Sequence, residues 1–530
     1  MRPPEESQEG AEMTIEEGGR LSRSLVWKLQ RRFFAERGLR AWGEGVVPHY
    51  ISNHPFLARA YLRTALGFLR DWQASIDPVE PLYVIELGTG AGRLGYHFLR
   101  QARAFFSLPA LRNVRIKYVM TELTMERVEE LSRNPFLSAL ADEELLDFAC
   151  FDAEAPGSLR LLRSGVVLAP GAVRNPLIVV ANYFFDSIPQ DVFLLSGGEL
   201  YEALVQLVSS REETDLEDPA ILGRLRLEYR YVPTGGATCY EEPALERILQ
   251  AYRGRLDDTH LSFPSAGLRC LEHFRTLSGG RLLLLSGDRG YVHEESLLSL
   301  GAPGISAHGS FSMSVNYHAI ARYFRDTGGV ALHARRRQSS LRICAFGLGR
   351  AEEDWAETRL AFTEALDAQG PDDFYSIRRG MERSCETLAI GEVLALLRFS
   401  GWDAHVFLGV YPRLMALVPD LDEPARQDLV DAARNVWDMY LPIGEGRDLG
   451  FHLGLLFTAM DDPAEALRFF GHSLRLHGRD ATTLYNTALC QLRLGKPDLA
   501  LAAAEEALEL APGYAPARHL RIKLQSAAGL

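Results

Sequence analysis

Apolar residues recur at helical spacing from residue 21 to about residue 39, at Leu25, Leu29, Phe33 and Phe34. That period predicts a helix. After a Gly/Pro break at 43–48, a second helix is expected over 55–72, with Phe56, Tyr61, Leu62, Leu66 and Leu69 on its apolar side. The pattern then changes. Residues 83–85 read as a short buried strand and 95–102 as a helix. A second strand follows at 116–120 and a second helix begins at 125–131. Third and fourth strands are expected at 145–151 and 177–181. Strands alternating with helices predict an α/β fold with a parallel, doubly wound sheet. Further strands are expected at 192–195, 225–232, 282–285 and 341–346. Residues 1–20 are rich in Glu, Gly, Pro and Ser and are expected to be disordered.

Beyond about residue 350 the strand signals stop, and an all-α region follows. Residues 449–476 align with 483–510 at an offset of 34. Gly454 then matches Ala488, Ala466 matches Ala500, Phe470 matches Ala504 and Ser473 matches Ala507, and Pro512 closes the second unit. Small residues at these positions let antiparallel helices approach closely. This period and pattern resemble tetratricopeptide repeats (TPR). Residues 514–524 would form a capping helix, and 385–445 have room for one or two degenerate units. The expected organisation is a disordered 1–20, a sheet domain over 21–350, a helical region over 351–448 and repeats over 449–530.

Composition narrows the partners. The 530 residues carry 57 Lys and Arg against 70 Asp and Glu, a formal net charge of −13. General affinity for nucleic acid or an anionic membrane is therefore not expected. All but four of the basic residues are arginine, which suggests a GC-rich bacterial genome. The six cysteines are scattered, with no CxxC and no Cys/His zinc spacing, so neither a metal site nor a disulfide framework is expected. No basic start leads into an apolar run, and no 18-residue apolar stretch occurs, so the expected compartment is the cytoplasm.

The strongest chemical signal is Glu86-Leu87-Gly88-Thr89-Gly90-Ala91-Gly92, between the first strand and its helix. Alternate glycines let backbone amides approach a ligand without Cβ interference, and the helix start adds a positive dipole end. A dinucleotide site would space its glycines GxGxxG. Here the spacing is GxGxG, and Glu86 stands where it would repel a pyrophosphate but could hold an ammonium. This loop resembles the E-x-G-x-G-x-G loop of class I S-adenosylmethionine (SAM)-dependent methyltransferases. The resemblance implies SAM as cofactor, with Glu122 at the end of the second strand accepting from the ribose hydroxyls. Phe151 and Asp152 after the third strand would flank the adenine.

The fourth strand leads into Ala181-Asn182-Tyr183-Phe184-Phe185-Asp186-Ser187-Ile188-Pro189. This resembles the A-N-E-F-F-D-A-L-P segment of the MidA-like family, the complex I assembly-factor methyltransferases. Residues 285–291, with Gly287-Asp288-Arg289-Gly290, are similar to that family's D-Y-G segment. Residues 309–320 are similar to its D-x-T-x-x-V-[DN]-F region, and 50–56 have a weaker counterpart. The resemblance spans about 30–347 and implies methylation of a protein, with arginine as a possible acceptor. Two departures stand out: Tyr183 replaces the family's glutamate, and Gly309 or Ser310 stands where its D-x-T acid would be.

Methyl transfer needs the acceptor positioned and its proton removed. Asn182 and Tyr183 are candidates to orient the acceptor, and Asp186 to act as base or anchor, with Asp191 nearby. His54, His308 and His318 are weaker candidates. Residues 182–185 lack both prolines of the N-P-P-[YF] loop of base methyltransferases, so nucleic-acid methylation is not expected. The TPR region would recruit a protein or peptide acceptor. The alternatives are a SAM-binding assembly scaffold with weak or lost catalysis, and a small-molecule methyltransferase.

Overall fold

The computed structural model describes residues 12–38, 50–106, 114–305, 311–336 and 340–527. The chain forms two compact units, Met1–Asp373 and Phe374–Leu530.

The first unit begins with strand β1 (Met13–Arg20) and helices α1 (Leu25–Arg37) and α2 (Pro55–Asp71). Next come β2 (Leu82–Glu86), α3 (Arg93–Phe106), β3 (Ile116–Glu122), α4 (Met125–Arg133), β4 (Leu146–Cys150) and β5 (Leu177–Asn182). Strands β6 (Asp191–Ser196), β7 (Glu199–Ser209), β8 (Leu225–Pro233) and β9 (Thr259–Phe263) follow. The unit continues with α5 (Ser265–Leu277), β10 (Leu282–Asp288), α6 (Tyr317–Asp326), β11 (Val330–His333), β12 (Arg342–Leu348) and α7 (Ala356–Phe362).

The larger sheet has the order β11-β12-β10-β5-β2-β3-β4. Strands β10, β5, β2, β3 and β4 run parallel. The order reverses between β2 and β5, the point where doubly wound sheets open a crevice at the strand carboxyl ends. β2 and β10 are buried along their whole length, which is why they read as unbroken apolar runs. The expected strand at 341–346 is present as β12, but it runs antiparallel to β10.

Two of the expected strands belong elsewhere. β6 and β8 join β1, β7 and β9 in a separate antiparallel sheet. Periodicity reports extension and buried faces, not the partner strand. The expectation of disorder over 1–20 is corrected for its described part: Met13–Arg20 pairs with the far half of β7. An edge strand needs few apolar side chains because its hydrogen bonds are main-chain. The shifts at Thr14/Glu16 and Glu17/Gly19 are bulges of the kind that limit further edge pairing. Helix α1 buries Val26, Trp27, Leu29 and Phe33 in one apolar cluster with Val205, Leu207 and Ile221 of this second sheet region.

The first unit also runs past the expected boundary at 350. Trp355 is fully buried and stacks on Phe68 of α2, ring centroids 5.9 Å apart. The Asp71 carboxylate accepts from the N–H of Glu357 (3.1 Å) and Thr358 (2.8 Å) and from the Thr358 hydroxyl (2.6 Å). A capped helix on the α2 face thus ties residues 355–362 to the sheet domain.

In the second unit, helix pairs repeat. α8 (Leu449–Ala459) and α9 (Pro463–His477) precede α10 (Ala481–Arg493), α11 (Pro497–Leu510) and α12 (Ala515–Ala527). Pro463 and Pro497 start the second helix of each pair, where a missing N–H costs nothing. The small positions are compensated in size. A Cβ on Gly454 would lie 2.4 Å from the Phe470 ring, whereas Ala488 and Ala504 share the corresponding gap in the next pair.

Candidate active site

The loop after β2 carries Gly88, Gly90 and Gly92 at φ of 60°, 61° and 76°, a region costly for residues with a Cβ. Helix α3 starts directly behind it. Glu86 is buried, and its Oε2 accepts from the Thr89 hydroxyl at 2.5 Å. A Cβ on Gly95 would lie 2.9 Å from that same oxygen. The carboxyl is therefore turned under the first turn of α3. Burial pushes its pKa up to about 7.

The sign of the resulting pH dependence follows from linkage. Folded Glu86 keeps its proton up to about pH 7, whereas in the unfolded chain it ionises near its ordinary 4.5. This contribution to stability is complete below 4.5 and is lost as pH rises to about 7. Glu86→Gln is expected to flatten that part of the fall in urea midpoint. Some slope of the same sign remains, because burial also raises Asp186, to about 6. An unchanged midpoint–pH curve in the variant would contradict a buried, protonated Glu86.

Glu122 ends β3 half-buried, and its Oε1 accepts from Gly90 N–H at 2.6 Å. Burial raises its pKa. Arg127, at the start of α4, donates to the Gly90 carbonyl at 3.1 Å, so both main-chain polar groups of Gly90 are held. Gly88, Glu122, Leu123, Phe151, Asp152, Tyr183 and Phe184 line one cavity of about 150 Å³ at the carboxyl ends of β2, β3, β4 and β5. Its remaining wall comes from α1, through Trp27, Gln30, Arg31, Phe34 and Ala35. Asp152 Oδ2 accepts from Arg31 at 2.5 Å, and its Oδ1 accepts from Glu154 N–H at 2.9 Å. The contribution of α1 escaped the sequence reading. Its period announced a helix, but nothing marked Arg31 out from the other arginines.

The loop after β5 holds the candidate catalytic residues. Tyr183 has φ 49°, an uncommon conformation for a bulky residue and one that clusters at functional sites. Its N–H donates to the Gly287 carbonyl at 2.9 Å, its carbonyl accepts from the Ser187 hydroxyl at 3.1 Å, and its side chain lines the cavity. Asn182 turns away: its Oδ1 accepts from the Tyr61 hydroxyl at 2.7 Å and its amide donates to the Ser52 carbonyl at 3.2 Å.

Asp186 is buried behind the loop and accepts from the Ser187 hydroxyl at 2.7 Å. Its carboxyl lies close enough to that of Asp288 for each charge to oppose the other. Asp288 Oδ2 accepts from the N–H groups of Phe184 (3.2 Å) and Phe185 (3.1 Å). Burial and the adjacent Asp186 push Asp288 well above the carboxylate range. Asp288 stood in the sequence inside a recognised segment, but nothing there assigned it a role.

Gly88, Glu122, Asp152 and Tyr183 thus line one cavity, while Glu86, Gly90, Gly92, Asn182 and Asp186 are not among its lining residues. The weaker candidates have structural partners. His54 caps α2, its Nδ1 accepting from Leu57 N–H at 3.2 Å. His318 pairs with the Tyr252 hydroxyl at 2.8 Å, and burial lowers its pKa to about 4. Asp191 accepts from the Tyr240 hydroxyl at 2.6 Å. His308, Gly309 and Ser310 lie outside the described residues. Among the described residues no cluster of His, Cys, Asp or Glu could hold a metal ion, and no helix is long and apolar enough to cross a membrane.

A family model described as "Putative S-adenosyl-L-methionine-dependent methyltransferase" matches residues 64–334. No curated protein matches the chain. A solved structure from Burkholderia thailandensis, bound to S-adenosyl-homocysteine, is 12% identical with a TM-score of 0.36, covering 63% of this chain and 95% of that one. A thermophilic TPR protein from Thermus thermophilus is 21% identical with a TM-score of 0.22, covering 34% of this chain and 92% of that one.

Proposed function

The chain belongs to the S-adenosyl-L-methionine-dependent methyltransferase family, and from that membership we propose that it methylates a protein or peptide acceptor recruited by its C-terminal repeats. The single observation that carries the placement of the cofactor is the Glu122–Gly90 contact. An acid at the end of β3 is locked to the glycine loop on a cavity with apolar walls. That donor set fits a cationic, ribose-bearing nucleoside. Bound SAM supplies an electrophilic methyl group on a sulfonium.

The chain's residues then divide the work. Glu122 accepts from the ribose hydroxyls, and Gly88, Gly90 and Gly92 let the backbone approach. Phe151 and Leu123 wall the base, with Asp152 beside it, already steadied by Arg31. Trp27 and Phe34 of α1 exclude water from that side. Glu86 shapes the loop from beneath through Thr89. Tyr183 faces the acceptor, Asn182 anchors the loop to α2, and Asp288 holds the loop from behind through the N–H groups of Phe184 and Phe185. The resemblance of residues 181–193 to the MidA-like family supports a protein acceptor, and Tyr183 in place of the family's glutamate argues against a guanidinium. The 34-residue period and the Gly454/Phe470 and Ala488/Ala504 compensation support tetratricopeptide repeats.

A scaffold with weak catalysis is the second reading. It draws on the side chains of Asn182 and Asp186, which are engaged with Tyr61 and Ser187 and do not line the cavity. Calorimetry with SAM and S-adenosyl-homocysteine should show binding of both. Radiolabelled methyl transfer into lysate should then mark the protein fraction. Label in small molecules alone would overturn the protein acceptor, and label in neither fraction would favour the scaffold.

A further inference from the structure

A second cavity, of about 230 Å³, lies one step beyond the Tyr183 loop. β10 runs parallel to β5 with Gly287 opposite Asn182, so Asp288 stands level with Tyr183 and Arg289 just past it. Arg289 lines this cavity with Tyr291, Ser262, Ser312, Ser314 and His260. The two sites are joined through the backbone, because Met313 N–H donates to the Asp186 carbonyl at 3.0 Å.

Three features define the cavity's chemistry. First, no Asp or Glu occurs among the described residues that line it, although the chain has 70 acids. Second, Arg289 is exposed, and no ion pair or side-chain hydrogen bond engages it among the described residues. The same holds for the hydroxyls of Tyr291, Ser262, Ser312 and Ser314, all half-buried. Third, the walls are fixed. His260 bonds both the Tyr231 hydroxyl (2.7 Å) and the Leu300 carbonyl (3.1 Å), and the Tyr229 hydroxyl donates to the Pro303 carbonyl at 2.8 Å. A guanidinium with several free hydroxyl donors and no competing carboxylate is the donor set that an oxyanion requires. The charge of Arg289 also reaches the loop, where it partly offsets the effect of burial on Asp186.

We propose that this cavity binds an oxyanion group, carboxylate or phosphate, of the methyl acceptor, with Arg289 as its cation and the Tyr291, Ser312 and Ser314 hydroxyls as donors. Its assignment to the acceptor rests on the methyl-transfer reading; oxyanion binding rests on the cavity alone. The acceptor is then an acid-bearing molecule, and its anionic group lies beside the atom to be methylated.

The test uses the full chain and two probes. Inorganic phosphate is followed by ³¹P line broadening, and acetate by saturation-transfer difference NMR. The wild-type chain is expected to bind at least one of them. Arg289→Gln should weaken that binding about ten-fold or more, and Arg289→Lys should retain part of it. Binding of phosphate alone identifies a phosphoryl group, and of acetate alone a carboxylate. If neither binds, or if the Gln variant binds as tightly as wild type, the proposal falls. SAM calorimetry on the same samples separates the two readings. Arg289-dependent anion binding in a chain that fails to bind SAM would sink the methyl-transfer reading and leave the oxyanion site standing.

Discussion

Glu122→Ala is expected to weaken SAM binding by roughly ten- to a hundred-fold. The substitution removes the side-chain acceptor of Gly90 N–H and strips the acid from the cavity wall. A hydrogen bond to a charged group is worth about 1.5–3 kcal/mol, and each 1.4 kcal/mol is a factor of ten in Kd. Glu122→Gln separates two contributions, because its amide oxygen can still accept from Gly90 while the charge is gone. Titration calorimetry of the two variants measures both. Retention of wild-type affinity in the Ala variant would mean that the cofactor does not lie in this cavity.

The second large effect concerns stability. Trp355→Ala should destabilise the first unit by about 3–5 kcal/mol, the range for emptying a large aromatic site in a core. The indole is fully buried, stacks on Phe68 and lies over Gly347 of β12. A Cβ at Gly347 would sit 2.2 Å from the Trp355 ring, so the strand has no side chain there with which to refill the space. The readout is the urea midpoint of the first transition. If the midpoint is unmoved, residues 355–362 are not part of the sheet domain's core.

The parts of this molecule that could be read from sequence are those whose signal is local. Gly88, Gly90 and Gly92 were legible because each requires a positive φ, and that requirement is met within the residue itself. β2 and β10 were legible because strands covered on both faces show continuous apolar runs. The repeat pairs were legible because every close helix approach demands a small residue at a fixed spacing. Sheet membership was not legible. β6 and β8 look like any other strand, and only their partners assign them to the second sheet: β6 through its hairpin with β7 and its pairing with β9, β8 through β7. β1 had too few apolar residues to announce itself, since an edge strand is held by main-chain hydrogen bonds, here to β7.

By itself, the sequence determined an α/β sheet with a glycine loop after its first strand, acids at the ends of the next two strands, and a helical repeat behind. The tertiary structure decided which of those acids reach the cavity. Glu86, two residues before Gly88, is folded under α3, whereas Glu122, far along the chain at the end of the next strand, meets Gly90 at 2.6 Å. It also brought Arg31 to Asp152, Asp288 beside Asp186 and, to the end of β10, a cavity with no Asp or Glu among its described lining residues. The reason is physical. Backbone conformation is set by neighbours in the chain, but the direction of a buried carboxyl is set by whichever donors the packed fold brings within hydrogen-bond reach, and these come from distant segments.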